Sequence, residues 1–365
     1  MSDPAAIAVD IVVDNYNYGR YIAEALASAR AQTHPNVRLI VVDDGSTDDS
    51  RAVIEAHAGQ IDEIVLKENG GQASAINAGL ARCRGEVVIF LDADDVLEPH
   101  AVATLVEPFA ADPALTKAQA RMEVIDAEGR RTGVLKPDRH LPLPNGDLRA
   151  AELAYPFDLT WMAMSGNAFR VEALRGLGPI PEVEFRVSAD WYMVHLTALI
   201  GPVASLERVC SLYRIHGANN YELESAEIDV PHLRATIGYS RATARELLRI
   251  ADERGFPHPK EILSIADLSN RMISLRLEPD LHPVPTDTRL GLVADAMRAL
   301  RRRRGVSGAM KAMFAGWFAA MAVAPCRLAE PLATGFLFPQ RRAGLNKLLA
   351  RLHRRQGDEA EPSPR

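Results

Sequence analysis

The sequence predicts an α/β fold: a mainly parallel central sheet flanked by helices, followed by an α-helical C-terminal extension. Three observations carry this. Short apolar runs recur at residues 9–13, 37–42, 61–66 and 87–91. Between them, apolar residues repeat at helical spacing, and strands alternating with helices argue for parallel strands joined by right-handed crossovers. After Pro231 the composition turns helical and rich in arginine.

Residues 9–13 read as the first strand, and Tyr21, Ile22, Ala25, Leu26 and Ala29 as the buried stripe of the first helix. Residues 37–42 form a second strand ending in Asp43-Asp44-Gly45-Ser46. The helix that follows has Ser46 as its N-cap, with Asp49 three residues on as a variant capping box. Residues 61–66 are a third strand, Asn69-Gly70-Gly71-Gln72 a loop, and 73–81 a helix of small residues. Residues 87–91, Val-Val-Ile-Phe-Leu, are apolar without a break and read as a fully buried fourth strand. From about 113 to 155 the pattern loosens. Glu128-Gly129 marks the turn of a hairpin, while Pro137, Pro142, Pro144 and Gly146 mark a loop. Residues 190–199 are helical. We expect an α/β domain over 1–225, in two halves at 8–110 and 111–225. A helical extension over 226–355 and a disordered polar tail at 356–365 follow.

The 365 residues are 47% hydrophobic and 25% charged, enough for a sizeable core. A net charge of −6 gives no support to nucleic-acid binding. Cys83, Cys210 and Cys326 are scattered, which argues against a disulfide framework or zinc site and suits a reducing compartment. Residues 1–10 lack the basic-then-apolar pattern of a signal peptide. No stretch reaches the ~18 apolar residues of a membrane span. The expected location is cytoplasmic.

The chemistry concentrates at Asp92-Ala93-Asp94-Asp95, where the fourth strand ends. Carboxylates are not buried unpaired without a large cost. An open α/β sheet binds its ligand at the C-terminal ends of its strands, and carboxylate oxygens suit Mg²⁺ and Mn²⁺. The first reading is therefore a metal site gripping a phosphorylated ligand, against the plainer reading of a solvated acidic turn. Tyr16 and Asp44 end neighbouring strands and converge on the same crevice. Tyr16 is placed to stack on a base. Asp44 either accepts from a base N–H or caps a helix.

Four motifs in order, Asp10-Ile-Val-Val-Asp-Asn-Tyr-Asn17, Val41-Val-Asp-Asp-Gly-Ser-Thr-Asp48, Asn69-Gly-Gly-Gln72 with Asn77-Ala-Gly79, and Leu91-Asp-Ala-Asp-Asp95, resemble the GT-A glycosyltransferases of family 2 over residues 8–222. The resemblance implies a nucleoside-diphosphate sugar donor, expected to be UDP-linked, and a divalent metal, Mn²⁺ or Mg²⁺. It also implies inversion at the anomeric carbon and a saccharide or lipid-linked acceptor, in surface polysaccharide or glycolipid synthesis. By the same resemblance Asp14, Tyr16 and Asp44 hold the base, and Gln72 and Asp92 contact the donor. Asp94 ligates the metal, and His216, in Tyr213-Arg-Ile-His-Gly217, reaches the metal–diphosphate. Ser165-Gly166-Asn167 matches a glycine loop near the acceptor and donor sugar, with Trp191 and Asp95 on that side. Asp190 matches the catalytic base.

The physics agrees, because a sugar hydroxyl is a weak nucleophile and needs a carboxylate to take its proton. Plainer readings stand beside these: Asp190 as a helix cap, His216 as a surface residue, Trp161 and Trp191 as core. Three positions depart from the family: Ala189 where Glu is common, Ile76 where Arg is common, and Asp14 on the first strand. A sugar-nucleotidyltransferase would show a Gly-rich, Arg-containing loop after the first strand. A phosphohydrolase with an Asp nucleophile would carry its D-x-D on that strand. Neither pattern is present. A non-catalytic nucleotide-sugar or carbohydrate-binding protein is the remaining alternative, separated by metal and nucleotide binding.

In the extension, Arg301 to Arg304 and Lys311 precede an uncharged stretch, 312–326, containing Met313, Phe314, Trp317, Phe318 and Met321. Phe336, Leu337 and Phe338 then precede Arg341-Arg342. Aromatic residues flanked by Arg suit an interfacial helix, over 301–342, peripheral on the inner face of a plasma membrane. A helix packed on the catalytic domain or in a homo-oligomer is the equal alternative.

Overall fold

The computed structural model describes residues 3–217 and 228–338. The chain begins with β1 (Val9–Asn15), α1 (Ile22–Arg30), β2 (Val37–Asp43), α2 (Ser50–Ala56), β3 (Glu63–Leu66), α3 (Gln72–Leu80) and β4 (Val87–Asp92). It continues through β5 (Val96–Leu97), α4 (Ala101–Ala111), β6 (Lys117–Ile125), β7 (Arg131–Lys136), α5 (Arg149–Glu152), β8 (Asn167–Arg170), α6 (Val171–Arg175), α7 (Ala189–Ile200) and β9 (Val203–Arg214). Helices α8 (Val230–Glu253), α9 (Ile265–Leu277), α10 (Arg289–Arg302), α11 (Gly308–Val323) and α12 (Cys326–Leu337) follow.

The strands make one sheet, ordered β3-β2-β1-β4-β8-β6-β9-β5, with β7 paired to β6. Strands β1 to β4 are mutually parallel where they pair, and β8 runs antiparallel to both of its neighbours. Alternation along each strand supplies two apolar layers. Val12, Ile40, Val42, Val88 and Phe90 face α3, α6 and α7. Ile11, Val13, Leu39, Val41, Ile89 and Leu91 face α1, α2 and α4 on the other side. Ile76, where the family commonly has Arg, is fully buried in the first layer.

Two compact units emerge: residues 1–222 with 238–264, and 223–237 with 265–365. In the second, Leu268, Met272, Leu292, Ala296, Phe318 and Met321 are buried, and Trp317 stacks on Phe336 at 4.1 Å. Helix α11 stops at Val323, before Pro325, and α12 starts just after it. Arg341, Arg342 and the polar tail lie outside the described residues.

One local expectation is corrected. The second helix starts at Ser50, not after Ser46, and Asp48 serves its first N–H, its Oδ1 accepting from Ser50 N at 3.0 Å. Ser46 is drawn elsewhere: its Oγ accepts from Asn15 Nδ2 at 3.0 Å and Asn17 N at 2.9 Å.

Candidate active site

Parallel pairing sets the acidic strand ends side by side. Asp14 on β1 lies opposite Asp92 on β4, and Asn15 opposite Asp43 on β2. Paired strands are about 4.8 Å apart, so Asp14 and Asp92 share one crevice, while Asp43 is taken up by Asn15, Ser46 and Arg51. A cavity of about 460 Å³ opens there, lined among others by Asp14, Tyr16, Asp44, Gln72, Asp92, Asp94 and Asp190.

Several of these groups are held by the backbone around them. Asp44 Oδ1 accepts from Lys67 Nζ at 2.6 Å and Gly70 N at 3.0 Å, and its Oδ2 accepts from Gly71 N at 2.7 Å. It thus ties down the glycine loop as well as lining the cavity. Gly71 has φ +89°, and a Cβ there would come within 2.5 Å of the Arg186 carbonyl oxygen. Gln72 bridges two parts of the site: its Nε2 donates to Asp92 Oδ1 at 3.3 Å, and its Oε1 accepts from Ala189 N at 3.0 Å. That second bond anchors the start of α7, where Asp190 sits in the first turn. Asp190 Oδ1 accepts from Trp191 N at 2.8 Å.

Asp94 Oδ2 lies 2.9 Å from His216 Nε2. Tyr21 stacks on the His216 ring at 4.9 Å, and Tyr18 meets it edge-on at 5.5 Å. Behind them Asp95 Oδ1 accepts from Arg214 N at 2.9 Å, and Arg214 Nε donates to the Asp94 carbonyl at 2.7 Å. Asp95 therefore braces the strand exit and does not line the cavity.

Electrostatically the crevice is crowded. Burial, then the Asp94 and Asp44 charges, push Asp14 up to about 7, against a backbone hydrogen bond that lowers it. Burial and Asp14 hold Asp92 well above the ordinary carboxylate range; burial and Asp94 do the same to Asp95. The Tyr18 and Tyr213 phenols, both lining the cavity, are also raised by burial and then by these carboxylates. Asp14 Oδ1 is buried with no hydrogen-bond partner. Such a set of oxygens suits a hard divalent cation, which would relieve the repulsion. Asp94 and His216 are the pair placed to hold one. Among the described residues, no group of three or more His, Cys, Asp or Glu side chains forms a complete cage.

The Ser165-Gly166-Asn167 segment lies deeper than its sequence role suggested. All three residues are buried and outside the cavity lining, which Ala163 and Met164 supply instead. Ser165 Oγ accepts from Asp92 N at 3.1 Å, and Asn167 Nδ2 donates to Ala163 O at 2.7 Å. Trp191 is likewise not in the lining; its ring packs 5.7 Å from Phe157. Sequence reasoning missed Arg186, Tyr18 and Tyr213, which line the cavity. No motif marks Arg186. The two tyrosines sit beside residues already singled out, Tyr16 and His216.

Residues 10–177 match the family model described as glycosyl transferase family 2. That match spans just under half of the chain, and this region resembles glycosyl transferase family 2. An uncharacterized glycosyltransferase of Nostoc sp. is 38% identical over 216 residues, covering 58% of this chain and 66% of that protein. The chain thus spans just under two thirds of that relative's length, and under a third of the next two. S. aureus TarS 1–349 shares the fold at TM-score 0.55 and 15% identity, covering 90% of this chain and 91% of that one. The mannosyltransferase PcManGT from Pyrobaculum calidifontis, in complex with GDP-Man and Mn²⁺, aligns at TM-score 0.50 and 17% identity, over 95% of this chain and 90% of that one. The chain thus carries the GT-A fold with a helical C-terminal region. Among its described residues no helix is long and apolar enough to cross a membrane.

Proposed function

We propose that this chain transfers a sugar from a nucleoside-diphosphate sugar, UDP-linked, to a hydroxyl of a saccharide or lipid-linked acceptor with inversion, in surface polysaccharide or glycolipid synthesis. The observation that carries the reading is the convergence of Asp14, Asp44, Asp92, Asp94 and Asp190 on one cavity. Tyr16, 46% exposed, is free to stack on the base. Asp14 accepts from it, and Asp44 holds the loop that walls it. Arg186 offers a cation to the diphosphate. Asp94 and His216 would hold a divalent ion, which when bound neutralises charge growing on the leaving diphosphate. Mg²⁺-type sites commonly use one or two carboxylates and complete their shell with phosphate and water, so an incomplete protein cage agrees with this role. The Mn²⁺ of the Pyrobaculum neighbour is consistent with it.

Asp190 takes the proton of the acceptor hydroxyl. Burial raises its carboxyl, while the Trp191 N–H and the N-terminal end of α7 favour the ionised form. The hydroxyl oxygen then attacks the anomeric carbon from the face opposite the diphosphate, and a single displacement inverts it. We place the protein in the cytoplasm, in contact with the inner membrane surface through 301–342. The deciding experiment is Asp190→Asn. Transfer should fall by about 10²–10⁴-fold with nucleotide binding retained, and near-normal turnover would refute the assignment.

A further inference from the structure

Two tyrosines in the cavity wall take no part in the mechanism above. Tyr18, in the loop between β1 and α1, and Tyr213, next to last in β9, are partly buried. Both line the cavity together with Asp92, Asp94 and Asp190. They come from opposite sides of β4 in the sheet order. Each ring is fixed close to the Asp94–His216 pair. The Tyr18 ring meets the His216 ring edge-on at 5.5 Å and lies 6.4 Å from the Tyr21 ring. Lys136 Nζ, outside the lining, lies 3.9 Å from the centre of the Tyr213 ring. The next residue, Arg214, gives its N–H to Asp95 Oδ1 at 2.9 Å, which ties this end of β9 to the exit of β4.

The hydroxyls are not needed for this packing. Phenylalanine would make the same ring contacts, and a tyrosine hydroxyl out of bulk water usually finds a partner. Among the described residues neither hydroxyl has one. What the cavity lacks is donors. Asp14, Asp44, Asp92, Asp94 and Asp190 only accept when ionised. Asn15 spends its amide N–H groups on Asp43 and Ser46, and Gln72 gives one of its own to Asp92. A diphosphate is rich in acceptor oxygens and carries no donor to offer these carboxylates. Burial, and then the surrounding carboxylates, keep both phenols protonated, so each has an O–H to give.

We propose that the Tyr18 and Tyr213 hydroxyls bind the phosphate oxygens of a nucleoside diphosphate, donating to them beside the Asp94–His216 pair. The inference rests on the cavity being the nucleoside-diphosphate site and names two residues that grip the phosphates directly. Hydrogen bonds to a charged group are among the stronger ones. An uncharged donor also adds to binding without drawing the neighbouring carboxylates into competing ion pairs.

The test is calorimetric titration of the full chain in the presence of Mn²⁺, on the wild type, Tyr18→Phe and Tyr213→Phe. The probes are UDP with uridine, and GDP with guanosine as a second pair, so the result does not hang on the base. Phenylalanine keeps the ring contacts and removes only the hydroxyl. Each variant should bind the diphosphate about tenfold more weakly than the wild type and the matching nucleoside equally well. An unchanged diphosphate affinity in either variant overturns the proposal. So does an equal weakening of the nucleoside, which would give the tyrosines a packing role or a contact with the base. A wild type that binds neither diphosphate overturns the reading of the cavity and this inference with it. The first two results leave that reading standing, so the failures are distinguishable.

Discussion

Asp14 shows how a single residue reports on the whole crevice. Its carboxyl is pushed up to about 7 by burial and by neighbouring carboxylates. The folded protein therefore keeps this proton to higher pH than the unfolded chain, whose value is near 3.8. Between those values the unfolded state binds fewer protons, so stability falls as pH rises through the window. Asp14→Asn removes that loss. In metal-free buffer the variant should gain melting temperature on the wild type as pH climbs from about 4 to about 8; parallel melting curves would contradict the crowding. At this scale the sequence was informative wherever a residue ended a strand: Asp14, Asp44, Asp92 and Asp94 all reach the cavity. It was silent on Arg186, which lines the cavity through pairing across the fold and alone reads as an ordinary surface cation.

At the scale of elements, the join between the glycine loop and α7 is the sensitive point. Gly71 turns back with φ +89° against the Arg186 backbone, and Gln72 N donates to Arg186 O at 2.7 Å. Gly71→Ala must displace the segment that leads into Asp190. We expect a loss of about 1–3 kcal/mol in urea unfolding, with weaker nucleotide binding. An unaffected unfolding midpoint would show that the loop is not under this constraint. The first four strands and three helices were legible because apolar runs and helical spacing mark them locally. The start of α2 was not, since Ser46 is used by Asn15 and Asn17 instead. Strands β8 and β9 escaped notice because their pairing with β4 and β6 is long-range and no local turn announces it.

For the whole molecule, the parallel register gathers residues far apart in sequence into one charged crevice, and the C-terminal helices offer a second surface. Met310, Met313, Val323 and Leu328 are exposed on or near α11, and Arg301, Arg302 and Arg304 are exposed at the end of α10 and beyond. Clustered Arg beside an apolar face attracts anionic lipid at about 1 kcal/mol per charge. The full-length wild type should therefore sediment with vesicles containing phosphatidylglycerol, and a variant with these three arginines replaced by alanine should not. Equal sedimentation of the two would favour a packed helix or a homo-oligomer contact.

The central claim is that the acidic crevice binds a nucleoside diphosphate through a divalent ion held at Asp94 and His216. Calorimetric titration of UDP into the full chain, with and without Mn²⁺, tests it most directly when repeated on Asp94→Ala. The account predicts binding that requires Mn²⁺ and is lost in the variant. Binding of equal strength without the metal, or undiminished in Asp94→Ala, would contradict it.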